Sequence, residues 1–309
     1  MRYDDFRRSD NIDDRRDDSG GGMGGGFGLP MGGGGGLGIG TVIVLGLIGW
    51  AVGIDPRILI GGAEILTGGG GQAPSYQTDR TNAPPRKAGA PSDEMGSMIS
   101  GVLGEIDDRW TEIFKESGGR TYQGPRIVLF RNVTNGGRCG RAQSAMGPFY
   151  CPPDRQIFLD TGFFREVETK FRGCSGSACK FTAAYIIAHE AGHHIQNLLG
   201  ILPRATQMQQ QAGSKAEANA IQVKIELQAD CFSGVWVNRE QKKRPGFLEA
   251  GDIDAALQTA SAIGDDTLQR QTQGRVVPDS FTHGSAAQRK QWFMTGYQNG
   301  TVAACNTFQ

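Results

Sequence analysis

The residues after position 92 carry the regular hydrophobic patterns of a folded domain. Apolar side chains recur every three or four positions from Met95 to Phe114, which predicts a helix with Ser92 as its N-cap. Apolar runs bounded by glycine and proline predict strands at 126–131 and 156–160. The other predicted helices cover residues 180–199, 214–242, 252–263 and 285–300. Together these elements predict an α+β domain that is mostly helical with a small sheet.

The part of the chain before this domain has a different pattern. An Asp/Arg-rich stretch that becomes Gly-rich cannot bury enough apolar surface to fold, which predicts a disordered tail over residues 1–37. Residues 38–54 are uncharged and mostly apolar over the length of a transmembrane helix, and Trp50 near the end suits the membrane interface. A Gly- and Pro-rich linker is predicted at 55–91, and the folded domain at 92–309.

Basic residues around the apolar segment predict its orientation. Five arginines lie on its N-terminal side: Arg2, Arg7, Arg8, Arg15 and Arg16. On its C-terminal side, Arg57 follows directly. The positive-inside rule, in which acidic residues count little, then places the N-terminus in the cytoplasm. We therefore expect a single-pass protein of the cell (inner) membrane, with its domain in the periplasm or outside the cell.

The cysteines support the same arrangement. All six follow the apolar segment, and an even number on one side of a membrane predicts disulfides in an oxidising compartment. The short sequence separations favour the pairs Cys174–Cys179 and Cys139–Cys151, which leaves Cys231–Cys305 as the third pair. Reduced, buried thiols are the alternative.

Composition narrows the candidate chemistry. Lys plus Arg and Asp plus Glu both number 32, so the formal net charge is zero, and no basic excess indicates nucleic-acid binding. Histidine occurs four times, at positions 189, 193, 194 and 283. Three of these histidines fall in one short segment, which favours a functional site there.

The segment from His189 to His193 reads His-Glu-Ala-Gly-His inside an apolar run that predicts a helix. Residues four apart lie on one face of a helix, so His189 and His193 can bind the same metal ion. Glu190 lies beside them and can take a proton from a water that the metal activates. This arrangement predicts a zinc-dependent peptidase with one Zn²⁺ per chain and Glu190 as its general base.

A catalytic zinc site takes three protein ligands, so one more is needed. Gln196 and Leu199 stand where the metzincin pattern requires glycine and histidine, which excludes that class. Glu226 is the only later glutamate with an aspartate four residues on, Asp230, which can accept a hydrogen bond from a ligand histidine. We therefore expect Glu226 as the third ligand and Asp230 behind the site. The alternatives for the third ligand are Cys231 and His194.

His283 lies at the start of the last predicted helix. Amide hydrolysis passes through an oxyanion, which a histidine outside the metal's ligands can stabilise, so we expect His283 to be catalytic. The alternative is a core or exposed histidine with no part in the chemistry. His194 is one residue off the ligand face of its helix, so we expect it to pack or to support a ligand.

Four segments together resemble the neutral zinc metallopeptidase family of bacterial envelope proteins. They are residues 149–154, 189–193, 226–230 and 283–292. The resemblance covers roughly residues 92–309 and the Gly-rich, single-span N-terminus. It implies a zincin-like fold and peptidase activity.

A looser resemblance links the chain to membrane metalloproteases that process CaaX proteins or handle misfolded membrane proteins. In those proteins a Thr-His-Pro motif follows the His-Glu-x-x-His and Glu-x-x-x-Asp motifs, and an arginine lies six residues after its histidine. Thr282, His283 and Arg289 match that spacing here, but Gly284 replaces the proline. The resemblance implies that Arg289 supports the site from behind the ligands. Similarity to thermolysin further implies that Asp230 orients His189.

The sequence thus predicts a membrane-anchored, zinc-dependent endopeptidase. Its expected partners are a peptide or protein substrate and, through one helix, the membrane. An extended substrate is expected to pair with the strand at 156–160. Two alternatives remain: a non-catalytic envelope binding module with a structural zinc ion, and a zinc hydrolase of a non-peptide amide such as cell-wall material. Glu190 argues against the first, because a structural site is normally closed by four ligands and needs no base.

Overall fold

The computed structural model describes residues 1–18, 91–118, 121–169, 178–273 and 275–309. Within these ranges the fold is α+β, mostly helical with a small sheet, as the hydrophobic pattern predicts. The helices are α1 (Glu94–Glu116), α2 (Gly162–Thr169), α3 (Ala178–Leu198), α4 (Ile201–Gln211), α5 (Lys215–Lys243), α6 (Asp252–Ala262), α7 (Asp265–Gln273) and α8 (Ala286–Asn299).

In the described part of the chain, six strands form two sheets. They are β1 (Ile12–Asp14), β2 (Arg126–Phe130), β3 (Val133–Asn135), β4 (Arg141–Gln143), β5 (Phe149–Cys151) and β6 (Gln156–Asp160). The larger sheet has the order β1-β2-β6-β5, and β3 pairs with β4 in the smaller one. In the larger sheet β2 runs parallel to β1 and β6, whereas β5 runs antiparallel to β6.

The sheet order corrects the expected position of the substrate strand. Since β6 has β2 on one side and β5 on the other, its main-chain groups are already paired. The expectation that this strand offers a free edge to a peptide is therefore wrong. Among the described strands, β5 forms that edge of the sheet.

Residues 1–18 belong to the folded domain, so the prediction of a disordered tail is wrong for this segment. β1 pairs with β2 in a parallel register, and the side chains of Phe6 and Ile12 are buried in the main core. Helix α1 makes room for the segment at Gly104, where a Cβ atom would overlap the backbone oxygen of Arg7. The N-terminal segment therefore packs on a surface that is shaped to receive it.

Residues 19–90 lie outside the described residues, and with them the predicted span at 38–54 and nearly all of the linker at 55–91. Among the helices that are described, none is long and apolar enough to cross a membrane. Residues 1–18 share one core with the domain, and two parts of one core cannot lie on opposite sides of a membrane. The expected arrangement, with a cytoplasmic N-terminus and the domain outside, conflicts with this packing.

Small residues bring together the helices that carry the candidate site. An added Cβ atom at Gly192 of α3 would lie 3.0 Å from the Cα and O atoms of Ala229 in α5. On the other side of α5, a Cβ atom at Gly296 of α8 would overlap the backbone oxygen of Cys231. Because these glycines have no side chain, α5 packs closely between α3 and α8.

Two of the predicted disulfides are present, Cys139–Cys151 and Cys231–Cys305. The first holds the last residue of β5, and the second ties α5 to the C-terminal segment. The reduced-thiol alternative is therefore wrong for these four cysteines. Cys179 is also disulfide-bonded, and its predicted partner, Cys174, lies outside the described residues.

Candidate metal centre

Three predicted ligands converge where α3 meets α5. The Nε2 atoms of His189 and His193 lie 3.2 and 3.6 Å from the same carboxylate oxygen of Glu226, Oε2. One donor atom from each residue falls within 4.8 Å of the others, so the three side chains could hold one metal ion. Gln222 donates to the other oxygen of Glu226 at 2.9 Å, which keeps Oε2 turned towards the histidines.

His189 is oriented by Asp230. The Nδ1 atom of His189 lies 2.8 Å from Oδ1 of this buried carboxylate, which can only accept while it is ionised. Nδ1 is therefore the donor, and Nε2 is the atom that faces Glu226. Burial lowers the pKa of His189, but the charge and hydrogen bond of Asp230 outweigh it and raise that pKa to about 10. A metal ion bound at Nε2 would take the place of the proton that this pKa describes.

Arg289 keeps Asp230 ionised. Its Nε and Nη2 atoms donate to the two carboxylate oxygens at 2.8 and 2.9 Å, and the hydroxyl of Tyr185 donates to Oδ1 at 2.6 Å. Burial opposes the charge on Asp230, but Arg289 and His189 outweigh it and hold the pKa of this carboxyl below its usual range. Asp230 and Arg289 therefore lie behind His189, on the side of its ring away from Glu226.

His193 has a different partner, Gln196, which sequence reasoning missed as a supporting residue. Nδ1 of His193 lies 2.9 Å from Oε1 of the Gln196 amide. The amide nitrogen donates to the carbonyl of Ile225 at 2.7 Å and to Gln228 at 3.1 Å, which identifies Oε1 as the acceptor. Nδ1 of His193 is then the donor, so its Nε2 is also directed towards Glu226. The available signal was the position of Gln196, three residues after His193 on the same helix.

Glu190 and Glu226 differ in their electrostatic environments. Burial raises the pKa of the Glu190 carboxyl, and the nearby histidines only partly oppose that rise. Burial also disfavours charge on Glu226, but the charge of His193 and the hydrogen bonds from both histidines hold its pKa well below its ordinary value. Glu226 thus suits a metal ligand, which must be ionised, while Glu190 suits a group that takes up and releases a proton.

His283 lies in the same cavity and is held by Asp265, a second residue that sequence reasoning missed. Oδ2 of Asp265 accepts hydrogen bonds from the backbone nitrogens of Thr282, His283 and Gly284 at 2.7, 2.6 and 3.0 Å. Its other oxygen lies 3.1 Å from Nδ1 of His283. One carboxylate at the start of α7 therefore fixes both the turn and the imidazole ring.

The same turn explains why glycine stands where the membrane metalloproteases have proline. Gly284 has a φ of 89°, which glycine adopts readily. Proline is restricted to φ near −65°, so it cannot occupy this position in the observed turn.

The two alternative third ligands are both engaged elsewhere. Cys231 forms a disulfide with Cys305. His194 is fully buried, with Nδ1 3.0 Å from the Tyr150 hydroxyl and Nε2 2.6 Å from the carbonyl of Gln123. Burial lowers the pKa of His194 to about 4, so the ring is neutral near pH 7. His194 thus has the packing role expected of it, holding β5 against α3.

The candidate ligands open onto a cavity of about 350 Å³. Its walls include the functional side chains described above, namely His189, Glu190, His193, Glu226, His283 and Arg289. The arrangement therefore combines a possible metal site, an acid–base group and a further histidine around one space that a ligand can enter.

Comparisons with known proteins identify the family of the chain. A family model described as "Putative neutral zinc metallopeptidase" matches residues 1–308, which includes the N-terminal segment. "Uncharacterized protein YpfJ" of Escherichia coli (strain K12) is 46% identical over 310 residues, covering 100% of this chain and 99% of its own. "Uncharacterized protein Rv2575" of Mycobacterium tuberculosis (strain H37Rv) is 46% identical over 195 residues, 60% of this chain and 63% of its own. No solved structure matches the chain at a significant level.

Proposed function

The chain belongs to the neutral zinc metallopeptidase family, and from this premise we propose that it is a zinc-dependent endopeptidase. The observation that carries the proposal is the convergence of two imidazoles and a carboxylate on one point, in a cavity that Glu190 also lines. A carboxylate such as Glu190, which can accept a proton, is needed beside a metal site that catalyses a reaction and not beside one that is only structural.

The donor set fits zinc. Two imidazole nitrogens and one carboxylate oxygen are established ligands of catalytic zinc, and three protein ligands leave a position for water. Hydrogen bonds at Nδ1 direct the Nε2 atoms of both histidines towards Glu226, which supports binding through those atoms. We therefore assign one Zn²⁺ per chain to His189, His193 and Glu226.

The chain's own residues supply the remaining chemistry. A zinc ion held by His189, His193 and Glu226 would supply a Lewis acid that lowers the pKa of a water to about 7 and polarises the substrate carbonyl. Glu190 accepts the proton that this water loses as its oxygen attacks the carbonyl carbon. The same carboxyl then delivers the proton to the peptide nitrogen as the C–N bond breaks. In its doubly protonated form, His283 bonds Asp265 through Nδ1 and donates a hydrogen bond from Nε2 to the oxyanion.

We assign substrate alignment to β5. Among the described strands it is paired on one side only, and two of its residues, Phe149 and Tyr150, line the cavity. An extended peptide can add to such an edge through main-chain hydrogen bonds. The disulfide at Cys151 and the His194–Tyr150 contact support a fixed position of the strand relative to α3.

A structural zinc ion in a non-catalytic module is less well supported. Structural sites are normally closed by four protein ligands, whereas three donors converge here among the described residues. A non-peptide amide such as cell-wall material would use the same machinery, so both kinds of substrate belong in the test.

The test compares the zinc-loaded full chain with Glu190→Gln and with Glu217→Gln, a control at an exposed position of α5. Each protein is given an unfolded protein and, separately, peptidoglycan fragments. We expect chelator-sensitive cleavage of the unfolded protein, at least about 100-fold slower for Glu190→Gln although its zinc is retained. The control should cleave like the wild type. Undiminished cleavage by Glu190→Gln would contradict the proposed base, and hydrolysis of the peptidoglycan fragments alone would favour the non-peptide alternative.

A further inference from the structure

The walls of the active-site cavity carry little charge beyond the groups already assigned. Its charged side chains among the described residues are Glu190, Glu226 and Arg289, together with three histidines. Arg289 is buried and bonded to Asp230, and Glu226 faces two histidines. Arg289 and Glu226 are therefore engaged, and Glu190 is assigned to proton transfer. A charged substrate side chain thus has no ionic partner among the described lining residues that is not already assigned a role.

One apolar part of the wall lies beside His283, the residue proposed to stabilise the oxyanion. Ile263 and Leu268 line the cavity and flank Asp265, the residue that holds His283. The backbone nitrogen of Asp265 donates to the carbonyl of Gly284 at 3.0 Å, which ties this turn to the His283 turn. The two aliphatic side chains are therefore fixed next to the reacting end of the cavity.

A second apolar part of the wall accompanies the edge strand. Phe149 of β5 lines the cavity and stacks on Phe158, with ring centroids 5.0 Å apart. Met146, just before β5, and Phe163 of α2 line the same space, and Ile186 lies one turn before Glu190 on α3. A substrate held along β5 would therefore place its side chains against aliphatic and aromatic surface.

We infer that this site selects peptides with a large apolar side chain next to the scissile bond and rejects peptides with a charged one there. The inference rests on the proposed peptidase function and adds the class of substrate. Transfer of a leucine or phenylalanine side chain into an apolar cavity is favourable, whereas an ion that enters it loses hydration without gaining a partner. Physiological substrates are thus expected to expose apolar segments, as unfolded chains do.

The first test measures cleavage by the zinc-loaded full chain. It uses peptides that are identical except at the residues flanking the scissile bond, which are leucine, aspartate or lysine. We expect kcat/KM for the leucine peptide to exceed that for either charged peptide by about 10- to 100-fold. Equal values for the three peptides would overturn the inference while leaving the peptidase function intact.

The second test measures binding and needs no turnover. The affinity of the slow Glu190→Gln variant for each peptide can be followed by fluorescence anisotropy. We expect the leucine peptide to bind at least about 10-fold more tightly than the charged ones, and equal affinities would overturn the inference. If the variant binds the leucine peptide selectively but the wild type cleaves none of the peptides, the apolar site would be supported and the peptidase function contradicted.

A pair of opposite charges introduced into the wall tests which residues determine the selectivity. We expect Leu268→Lys to improve cleavage of the aspartate peptide, and Leu268→Glu that of the lysine peptide, by about 10-fold relative to the leucine peptide. Met208→Lys is the matched control, because Met208 is exposed on α4 and is not among the cavity-lining residues. Unchanged relative rates in both Leu268 variants would remove this wall from the binding site.

Discussion

The two candidate histidine ligands are supported by partners of different charge. His189 donates to Asp230, a carboxylate that Arg289 keeps ionised, whereas His193 donates to the neutral amide of Gln196. A carboxylate partner makes an imidazole a stronger ligand than an amide partner does, because it stabilises positive charge on the ring. The difference predicts that Gln196 can be varied to change metal affinity without removing a ligand.

Gln196→Ala should weaken zinc binding by about 10- to 100-fold, because His193 loses the bond that orients it. Gln196→Glu keeps an acceptor at Nδ1, but its second oxygen would face the Ile225 carbonyl and Oε1 of Gln228, so it should also bind zinc more weakly than the wild type. Competition with a fluorescent chelator measures both affinities. Gln291→Ala, at an exposed position on α8, is the control. Unchanged affinity in Gln196→Ala would show that His193 is held by other contacts.

Asp107 of α1 predicts a pH dependence of stability away from the metal centre. Burial raises the pKa of this carboxyl to about 7, and hydrogen bonds from Tyr122 and Ser9 only partly oppose that rise. An unfolded aspartate releases its proton near pH 4, so the folded state binds more protons between about pH 4 and pH 7. Folding stability from this group therefore falls as the pH rises through that window.

The Asp107→Asn variant has no carboxyl group at this position, so it should not show this loss of folding stability with rising pH. Relative to the wild type, its free energy of unfolding should rise by about 2 kcal/mol between about pH 5 and pH 8. Urea unfolding at the two pH values measures the difference. Asp10→Asn, at an exposed position, controls for the removal of one carboxylate. A constant difference between Asp107→Asn and wild type would contradict the raised pKa.

Local spacing was enough to place most of the candidate site. The helical repeat brings together His189, Glu190 and His193, and the same repeat relates Glu226 to Asp230. Gln196 and Asp265 could not be found in this way. Gln196 lies three residues after His193, but the contacts that turn its amide oxygen towards His193 are to Ile225 and Gln228 on another helix. Asp265 meets His283 across 18 residues of chain. Such contacts depend on tertiary packing, which a single sequence does not specify.

At the scale of elements, the close approach of α3 and α5 determines whether the ligands meet. Gly192→Val should push the helices apart, because its Cβ atom alone would lie 3.0 Å from the backbone of Ala229. We expect a loss of about 1–3 kcal/mol in the free energy of unfolding, accompanied by weaker zinc binding. Urea unfolding and chelator competition measure the two effects. Ala216→Val, at an exposed position on α5, should change neither, and a stable Gly192→Val with normal zinc affinity would contradict the account.

Two features of the elements were not accessible from the sequence pattern. Gly200 and Pro203 indicate the end of a helix, and α3 does end at Leu198, but Pro203 lies in the first turn of α4, where proline is tolerated. The strand at 156–160 was predicted correctly, but its neighbours were not. Strand order depends on long-range pairing, and the hydrophobic pattern of one strand does not reveal it.

At the scale of the whole molecule, residues 1–18 pack into the same hydrophobic core as the residues after position 91. Composition predicted disorder because the charged residues of this segment greatly outnumber its apolar ones. The structure pairs those charges instead, as in the ion pair of buried Arg15 with Asp13 at 2.7 Å and that of Arg16 with Asp93. The few apolar residues, such as Phe6 and Ile12, are buried. Average composition therefore misses a short segment that folds against an existing surface.

This packing predicts that the N-terminus and the domain lie on the same side of any membrane. Asp10→Cys and Lys290→Cys place single thiols at exposed positions in the two parts. In intact cells, a membrane-impermeant maleimide should label both thiols or neither, and after lysis it should label both. The unsubstituted chain is the control, since the cysteines of the described residues are disulfide-bonded. Labelling of one thiol alone in intact cells would show that the two parts are separated.

The most direct test of the account is the zinc content of the purified full chain, which retains the N-terminal segment. The wild type is measured beside Glu226→Gln, with Glu217→Gln of the same helix as the matched control. We predict one zinc per chain in the wild type and the control, and a zinc content that is lost or greatly reduced in Glu226→Gln. Full zinc occupancy in Glu226→Gln would contradict Glu226 as the third ligand, and with it the metal centre on which the proposed function rests.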